Sequence, residues 1–324
     1  MKRRNRWRVR LQFILLTILV LMAGPVWFAG CGGYPGMLFR ENMLKPTPWH
    51  KVENKPRPKE WPKDAVTATW IGHATVLINV RGVTILTDPV LGKRLGTPEV
   101  LGANLGIRRI TEAAVRPENL PPIDIVLLSH AHHDHWDMAS LKRFQPPAHA
   151  VIPTNTRDLL PKGHFGAVTE LAWGERVRVN DVTITALPVE HWGRRGRNDI
   201  ERGYNGYLIE SGGTRVFFAG DSARIDEDQL RWRETLGGTG VDLVLLPIGE
   251  SIYRRNHMSP EEAWELFRAL GGRRLMPIHW RTFIMSPRNK EPTFAPLERL
   301  KEAAGEEAFR IVGEEPGEVV TVDK

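Results

Sequence analysis

Ser129-His130-Ala131-His132-His133-Asp134-His135-Trp136-Asp137 places four of the chain's eleven histidines within six residues, with an aspartate among them. Imidazole and carboxylate are the side chains that bind Zn²⁺ and similar borderline ions. A solvated, histidine-rich turn is the other reading of such a run. A lone histidine would suit it; four beside a carboxylate do not. The run directly follows 125–128, a continuous apolar stretch of the kind that is buried on both faces of a sheet. A turn at a strand end can aim alternate side chains into one pocket. His130 and His132 can then face one metal, and Asp134 and His135 a second.

The elements that must position this turn are mostly short β-type runs. Residues 67–71, 75–80 and 83–87 are β-branched and joined by turns at Gly72 and Arg81-Gly82, which predicts consecutive antiparallel strands. Further strands are expected at 177–179, 182–186, 207–209, 215–219 and 243–246. Helical patterns cover 138–144 and 226–235. A third helix begins at Ser259-Pro260-Glu261-Glu262, where Ser259 suits the N-cap, Pro260 the first turn and Glu262 a capping box. It ends at Gly271-Gly272. Strands mixed with outer helices predict a layered α/β fold with two central sheets.

His-x-His-x-Asp-His after a buried strand resembles the signature of the metallo-β-lactamase superfamily. Leu187-Pro188-Val189-Glu190-His191-Trp192, Phe217-Phe218-Ala219-Gly220-Asp221-Ser222 and Pro277-Ile278-His279-Trp280 each follow a strand, in the order that superfamily requires. Within it, the chain is similar to the N-acyl-phosphatidylethanolamine phospholipase D type. The marks are Trp70-Ile71-Gly72-His73-Ala74, Leu86-Thr87-Asp88-Pro89, Pro121-Pro122-Ile123-Asp124, Phe218-Ala219-Gly220-Asp221 and Leu246-Pro247-Ile248-Gly249. His257-Met258-Ser259-Pro260-Glu261-Glu262-Ala263 and Ile278-His279-Trp280 complete the set. The likeness runs from about residue 66 to 291, and the segment 37–43 matches the type only loosely. It implies an αββα sandwich with two mixed central sheets flanked by helices.

The same resemblance implies two divalent ions, zinc being the expected metal. His130, His132 and His191 would hold the first, Asp134, His135 and His279 the second, and Asp221 would bridge both. Asp134 is also expected to be catalytic. His257 precedes the capped helix and there can meet a phosphate or donate a proton to a leaving group; a plain loop histidine is the alternative. His133 sits at the variable position of the motif and is left out. Asp88 either orients a ligand histidine or is a turn aspartate. His73 lies at the pocket mouth or in the core. His50, His149 and His164 have no motif support. Trp70, Trp136, Trp192 and Trp280 lie beside motif residues and suit core packing, with some free to line an apolar channel.

Two such ions can share a water and bring its pKa near neutrality, so that hydroxide is the nucleophile. The ligand set alone does not separate a phosphodiester from an ester, amide or lactone. A phospholipase D-like phosphodiesterase acting on N-acylated phospholipids follows from the family likeness; a lactonase, an esterase or a soluble phosphodiesterase is the alternative. A non-enzymatic envelope protein is disfavoured because all seven candidate ligands are present. No Walker loop and no Gly-x-Ser-x-Gly elbow occurs.

The N-terminus has six basic residues up to Arg10, an apolar run from about 11 to 28, and then Phe28-Ala29-Gly30-Cys31. A charged start, an apolar run and small residues describe a secretory signal over 1–30. Cys31, the only cysteine, resembles the lipidated residue of a bacterial lipobox, and an uncleaved anchor is the alternative. Both expectations tether the domain to a membrane, outside the cytoplasm in the cell envelope, and a single cysteine excludes an internal disulfide. Residues 31–64 form a Pro/Lys-rich linker or an arm lying on the domain. The catalytic domain is expected over 65–324. The net charge of +7 falls to +1 without the leader, with 39 basic against 38 acidic residues, so it gives no support to a nucleic-acid partner. A small-molecule or phospholipid substrate remains, and the oligomeric state is unspecified.

Overall fold

β1 (Val66–Gly72), β2 (Thr75–Val80) and β3 (Val83–Thr87) form an antiparallel meander. Its second turn has positive φ at Arg81 (52°) and Gly82 (90°), the pair of left-handed residues that a tight hairpin turn requires. β4 (Ile125–Leu127), β5 (His149–Pro153) and β6 (Ala167–Leu171) add in parallel to β3, and β13 (Val319–Val322) pairs with β1. The sheet order is β13-β1-β2-β3-β4-β5-β6. The second sheet holds β7 (Arg176–Val179), β8 (Val182–Leu187), β9 (Gly206–Ser211), β10 (Thr214–Phe218), β11 (Leu243–Pro247) and β12 (Arg274–Ile278) in the order β12-β11-β10-β9-β8-β7. The computed structural model describes residues 49–95, 107–196, 199–226, 229–235, 240–249, 256–284 and 293–322. The leader over 1–30, Cys31, the segment 37–43, Pro46 and Pro48 lie outside them.

Alternation along the strands explains how the sheets stack. Ile125 and Leu127 of β4 join Ile78, Ile85 and Val151 in one buried cluster that also contains Ile184, Ile209, Val216 and Leu245 of the second sheet. The sheets therefore pack face to face. Val126 and Leu128 point the other way, into a cluster with Trp136, Leu141, Phe144 and Ile152. That second cover is why the β4 run is apolar throughout rather than alternating.

Helices lie outside both sheets. α1 (Met138–Leu141) starts on Asp137, whose side chain accepts from Ser140 N. It is shorter than the expected 138–144, because the bonds tighten to i→i−3 after it, Arg143 N to Ser140 O and Phe144 N to Leu141 O. α2 (Trp232–Thr235) is a single turn after a 3₁₀ turn at Gln229–Arg231. The expected helix over 226–235 shrinks because its described residues give few buried apolar side chains, Leu230 among them. α3 (Pro260–Ala269) has the anticipated capping box: Ser259 Oγ accepts from Glu262 N, and Ser259 N donates to Glu262 Oε2. It packs on β11 and on α4 (Ala295–Ala304). The described part of the linker runs along the domain: His50 bridges to Thr111, and Val52 is buried with its N–H on Glu112. Among the described residues no helix is long and apolar enough to cross a membrane.

Candidate metal centre

β1, β3 and β4 run in one direction within the first sheet, and β8, β10 and β12 share a direction in the second. Their C-terminal ends present His73, Asp88, His130, His191, Asp221 and His279, the general place for a site in open α/β sheets. His73, Asp88 and His279 adopt positive φ, at 55°, 31° and 59°. Such non-glycine strain persists only where surrounding structure enforces it. Gly220, at φ 61°, lets the strand turn into Asp221; a Cβ there would stand 2.4 Å from that of Ser129.

Two groups of donors come together. Nε2 of His130 lies 2.8 Å from Nδ1 of His132, and Nε2 of His191 lies 3.2 Å from the same Nδ1. Nitrogens around a tetrahedral zinc with ~2.0 Å bonds stand about 3.3 Å apart. His73, Asp134, His135 and His279 form the other group, with every donor within 4.8 Å of the rest. Asp221 lies between them. Its Oδ2 is 3.0 Å from His135 Nε2 and 3.9 Å from both His130 Nε2 and His191 Nε2, while Oδ1 is 3.2 Å from His279 Nε2.

Three of these donor atoms fall outside hydrogen-bond geometry. His135 Nε2, His279 Nε2 and Asp221 Oδ1 are buried without a hydrogen-bond partner. Buried polar atoms are normally paired. Ligand-type nitrogens and oxygens gathered this closely in a buried place suit a shared cation, and the nitrogen–oxygen donor set suits zinc or a similar ion.

The imidazoles are oriented from behind, as ligand histidines usually are. Asp88 Oδ2 accepts from His135 Nδ1 at 2.6 Å and from Ser129 Oγ at 2.5 Å, and Asp88 Oδ1 accepts from Ser129 N at 2.7 Å. His130 Nδ1 sits 2.9 Å from Ser129 Oγ, and His191 Nδ1 donates to Asn256 O at 3.0 Å. Nε2 of all three rings is thereby left facing the cluster. Asp88 is thus built into the site, whereas sequence left it open.

Electrostatics divide the cluster. Burial holds His130 well below the ordinary histidine range and brings His132 to about 4 and His191 to about 3, only partly offset by carboxylates. Burial also works against charge on His135 and His279. There Asp221 and Asp134 outweigh it, lifting His135 well above its usual value and His279 to about 10. Despite burial, the same histidines hold Asp134 and Asp221 well below the carboxylate range.

The structure brings all seven sequence-derived ligand candidates into one cluster of donor atoms. His257 stands beside them, its Nδ1 3.7 Å from Asp221 Oδ2. His73 is no rim residue: it is buried, with Nε2 3.1 Å from Asp134 Oδ2. His133 is exposed. His50, His149 and His164 are elsewhere, on Thr111, Thr169 and Phe144. Trp70 and Trp280 are buried and stack on each other, and Trp136 is buried. Trp192 is 37% exposed, with its ring 4.2 Å from that of His191 and 4.5 Å from that of His132. Sequence reasoning missed Ser129, Asn256 and Arg195. Arg195 donates to the carbonyls of Ala131 and Trp136.

A profile for the β-lactamase superfamily domain matches residues 83–280. N-acyl-phosphatidylethanolamine-hydrolyzing phospholipase D 1 of Caenorhabditis elegans is 30% identical over 313 residues, covering 87% of this chain and 86% of that protein. A metal-dependent hydrolase of Thermus thermophilus is 27% identical over 259 residues, covering 80% of this chain and 100% of that protein. The crystal structure of a metallo hydrolase from the archaeon Ignicoccus hospitalis superposes with a TM-score of 0.57 at 21% identity, covering 80% of this chain and 99% of that one. With its αββα sandwich and its clustered histidines and aspartates, the chain belongs to the metallo-β-lactamase superfamily and is a metal-dependent hydrolase related to the N-acyl-phosphatidylethanolamine-hydrolysing phospholipases D.

Proposed function

We propose that the chain is a binuclear hydrolase of phospholipase D type that cleaves N-acyl-phosphatidylethanolamine-like phospholipids. The observation that carries the binuclear reading is the position of Asp221 between two donor groups, one of three histidines and one of carboxylate and histidines. His130, His132 and His191 would hold one ion, Asp134, His135 and His279 the other, with Asp221 shared. Zinc suits this donor set. A bound pair of divalent ions would supply an acidified water and positive charge to stabilise oxyanions. Support for the lipid phosphodiester comes from the 30% identical relative named for that activity.

The chain's own residues supply the rest. His257 lies within reach of Asp221 and two residues before the N-cap of α3. Once protonated, an imidazole there can deliver a proton to the alkoxide of the departing N-acylethanolamine as the P–O bond breaks, leaving phosphatidic acid; burial lowers the affinity of His257 for that proton and Asp221 partly restores it. Asp134 stays ionised, accepts from His73 and keeps a negative charge beside the ions. The Trp192 ring, half open to solvent beside His191 and His132, offers an apolar wall to the substrate. Lipidation at Cys31 would hold the domain against an envelope membrane; a Cys31→Ala chain that still partitions with membranes would argue against it.

The test is the purified full chain in detergent, assayed for bound metal and for products from N-acyl-phosphatidylethanolamine. About two ions per chain and formation of phosphatidic acid support the reading. Two ions, no lipid cleavage and turnover of a soluble ester or lactone would move the chain to the alternative bond. No metal after growth with ample zinc would remove the site argument.

A further inference from the structure

The loop between β8 and β9 carries His191 and, four residues on, Arg195. The guanidinium of Arg195 reaches across to the loop between β4 and α1. One arm donates to Ala131 O at 2.7 Å and the other to Trp136 O at 3.2 Å. These carbonyls bracket His132, His133, Asp134 and His135. A planar fork with donors on separate nitrogens can span two acceptors in this way, whereas an ammonium is a point donor.

Arg195 is itself held. Its N–H donates to Asp199 Oδ2 at 2.9 Å. Asp199 in turn accepts from Arg202 Nε at 2.7 Å and from an Arg202 terminal nitrogen at 3.0 Å. Arg202 continues to Asp158 at 2.6 and 3.0 Å and to Asn155 O at 2.6 Å, beyond β5. The loop also doubles back on itself: a Cβ on Gly193 would stand 2.0 Å from Arg202 O. The described parts of the β8–β9 loop on either side of Arg195 are therefore braced through Asp199 and Arg202.

We infer that Arg195 is a positioning residue that holds His191 in register with His130 and His132, and so sets the affinity of the three-histidine metal subsite. The inference rests on the metal-centre reading above. Its logic is the origin of the ligands. The three-histidine group draws on both loops that Arg195 joins, so loosening the strap lets His191 drift from its two partners. The other group takes Asp134 and His135 from one loop and His279 from the end of β12, with His135 tied to Asp88 and its N–H to His132 O. None of those bonds involves Arg195.

The experiment compares the full-length wild-type chain with Arg195→Ala and Arg195→Lys, using Co²⁺ and Zn²⁺ as probes. Affinities are measured by chelator competition, and the Co²⁺ ligand-field bands distinguish the three-histidine subsite, with Asp221 its one carboxylate, from the subsite that adds Asp134. Loss of a partner that orients a metal ligand typically costs 10–100-fold in affinity. The expected result is a loss of that size at the three-histidine subsite in both variants, with the other ion held as in the wild type. Millimolar methylguanidinium should restore the tight ion in Arg195→Ala, which a general packing defect would not allow. If Arg195→Ala does not fold, Arg195→Lys carries the comparison. Wild type and variants that each hold two ions equally tightly would overturn the strap alone. A uniform weakening of both ions without guanidinium rescue would overturn it too. A wild-type chain that binds no metal would instead overturn the reading beneath it.

Discussion

Nδ1 of His135 donates to Oδ2 of Asp88 across 2.6 Å, and solvent reaches neither side chain. A buried carboxylate with this single ring partner fixes the imidazole tautomer and turns Nε2 toward Asp221. Asp88→Asn keeps the volume but removes the charge and puts an amide where two donors arrive. We expect the ion held by His135 to bind 10–100-fold more weakly, with activity at low metal falling alongside it. Chelator competition on the folded variant checks this. Unchanged affinity would reduce Asp88 to a turn residue.

Protonation gives an independent test of how the cluster is divided. In the metal-free protein at neutral pH, His132 (about 4) and His191 (about 3) are neutral because burial disfavours their charge. His279 (about 10) and His135 are protonated, because Asp221 and Asp134 outweigh burial. An ion can bind an imidazole lone pair only after its proton leaves. Entry at the three-histidine subsite should release almost no protons near pH 7.5, and entry at the other should release about two. Calorimetric titration in buffers of different ionisation enthalpy reads this directly. The sign for stability also differs. Raised histidines stabilise the metal-free fold fully below about 6.5 and lose that contribution as pH rises through their folded values. Depressed ones leave it intact above about 6.5 and erode it as pH falls toward 4.

Much of this arrangement was legible in the sequence, for a physical reason. Metal chemistry needs particular side chains at strand ends, so His130, His132, Asp134 and His135 stand out by type and by place, while His191, Asp221 and His279 were reached through the family resemblance. What was not legible depends on backbone geometry. Ser129 and Asn256 matter through an Oγ and a carbonyl oxygen, which carry no residue-type signal for a metal site. Arg195 reaches carbonyls on a loop some sixty positions earlier, a contact that no local pattern encodes. His73 was open between the pocket mouth and the core, and it is the turn after β1 that folds it inward onto Asp134. Among the elements, β6 is a half-buried edge strand containing Glu170, and α4 starts on Phe294 without a side-chain cap. Neither has the periodicity or the cap that marks α3.

Trp192 joins the metal cluster to solvent. Its ring lies against His191 and His132, and 37% of the residue is exposed. An apolar wall there matters for a long-chain substrate and little for a small soluble one. Trp192→Ala should raise KM for N-acyl-phosphatidylethanolamine in mixed micelles by roughly 10-fold, in line with loss of a buried aromatic contact of about 1.5 kcal/mol. It should leave metal content unchanged. A variant that loses kcat and metal together instead would mean that the ring supports His191 rather than substrate.

His257 is the residue whose two possible roles are easiest to confuse. It stands 3.7 Å from Asp221, and with Asp221 and His279 it forms a third group of donors able to hold an ion. As a proton donor it would contribute about 10²–10⁴-fold to turnover while leaving the ions in place. As a ligand, its removal would empty or weaken a subsite. His257→Gln separates these outcomes, since the amide keeps a polar group of similar reach but transfers no proton near neutrality. We expect kcat to fall by at least about 100-fold with KM and metal stoichiometry held, and the fall to be smaller for a substrate with a better leaving alcohol, which needs less protonation. Loss of an ion in His257→Gln would reassign the residue to the metal set. Equal losses for good and poor leaving groups would take the proton from it and leave His257 with a role in orienting the phosphate.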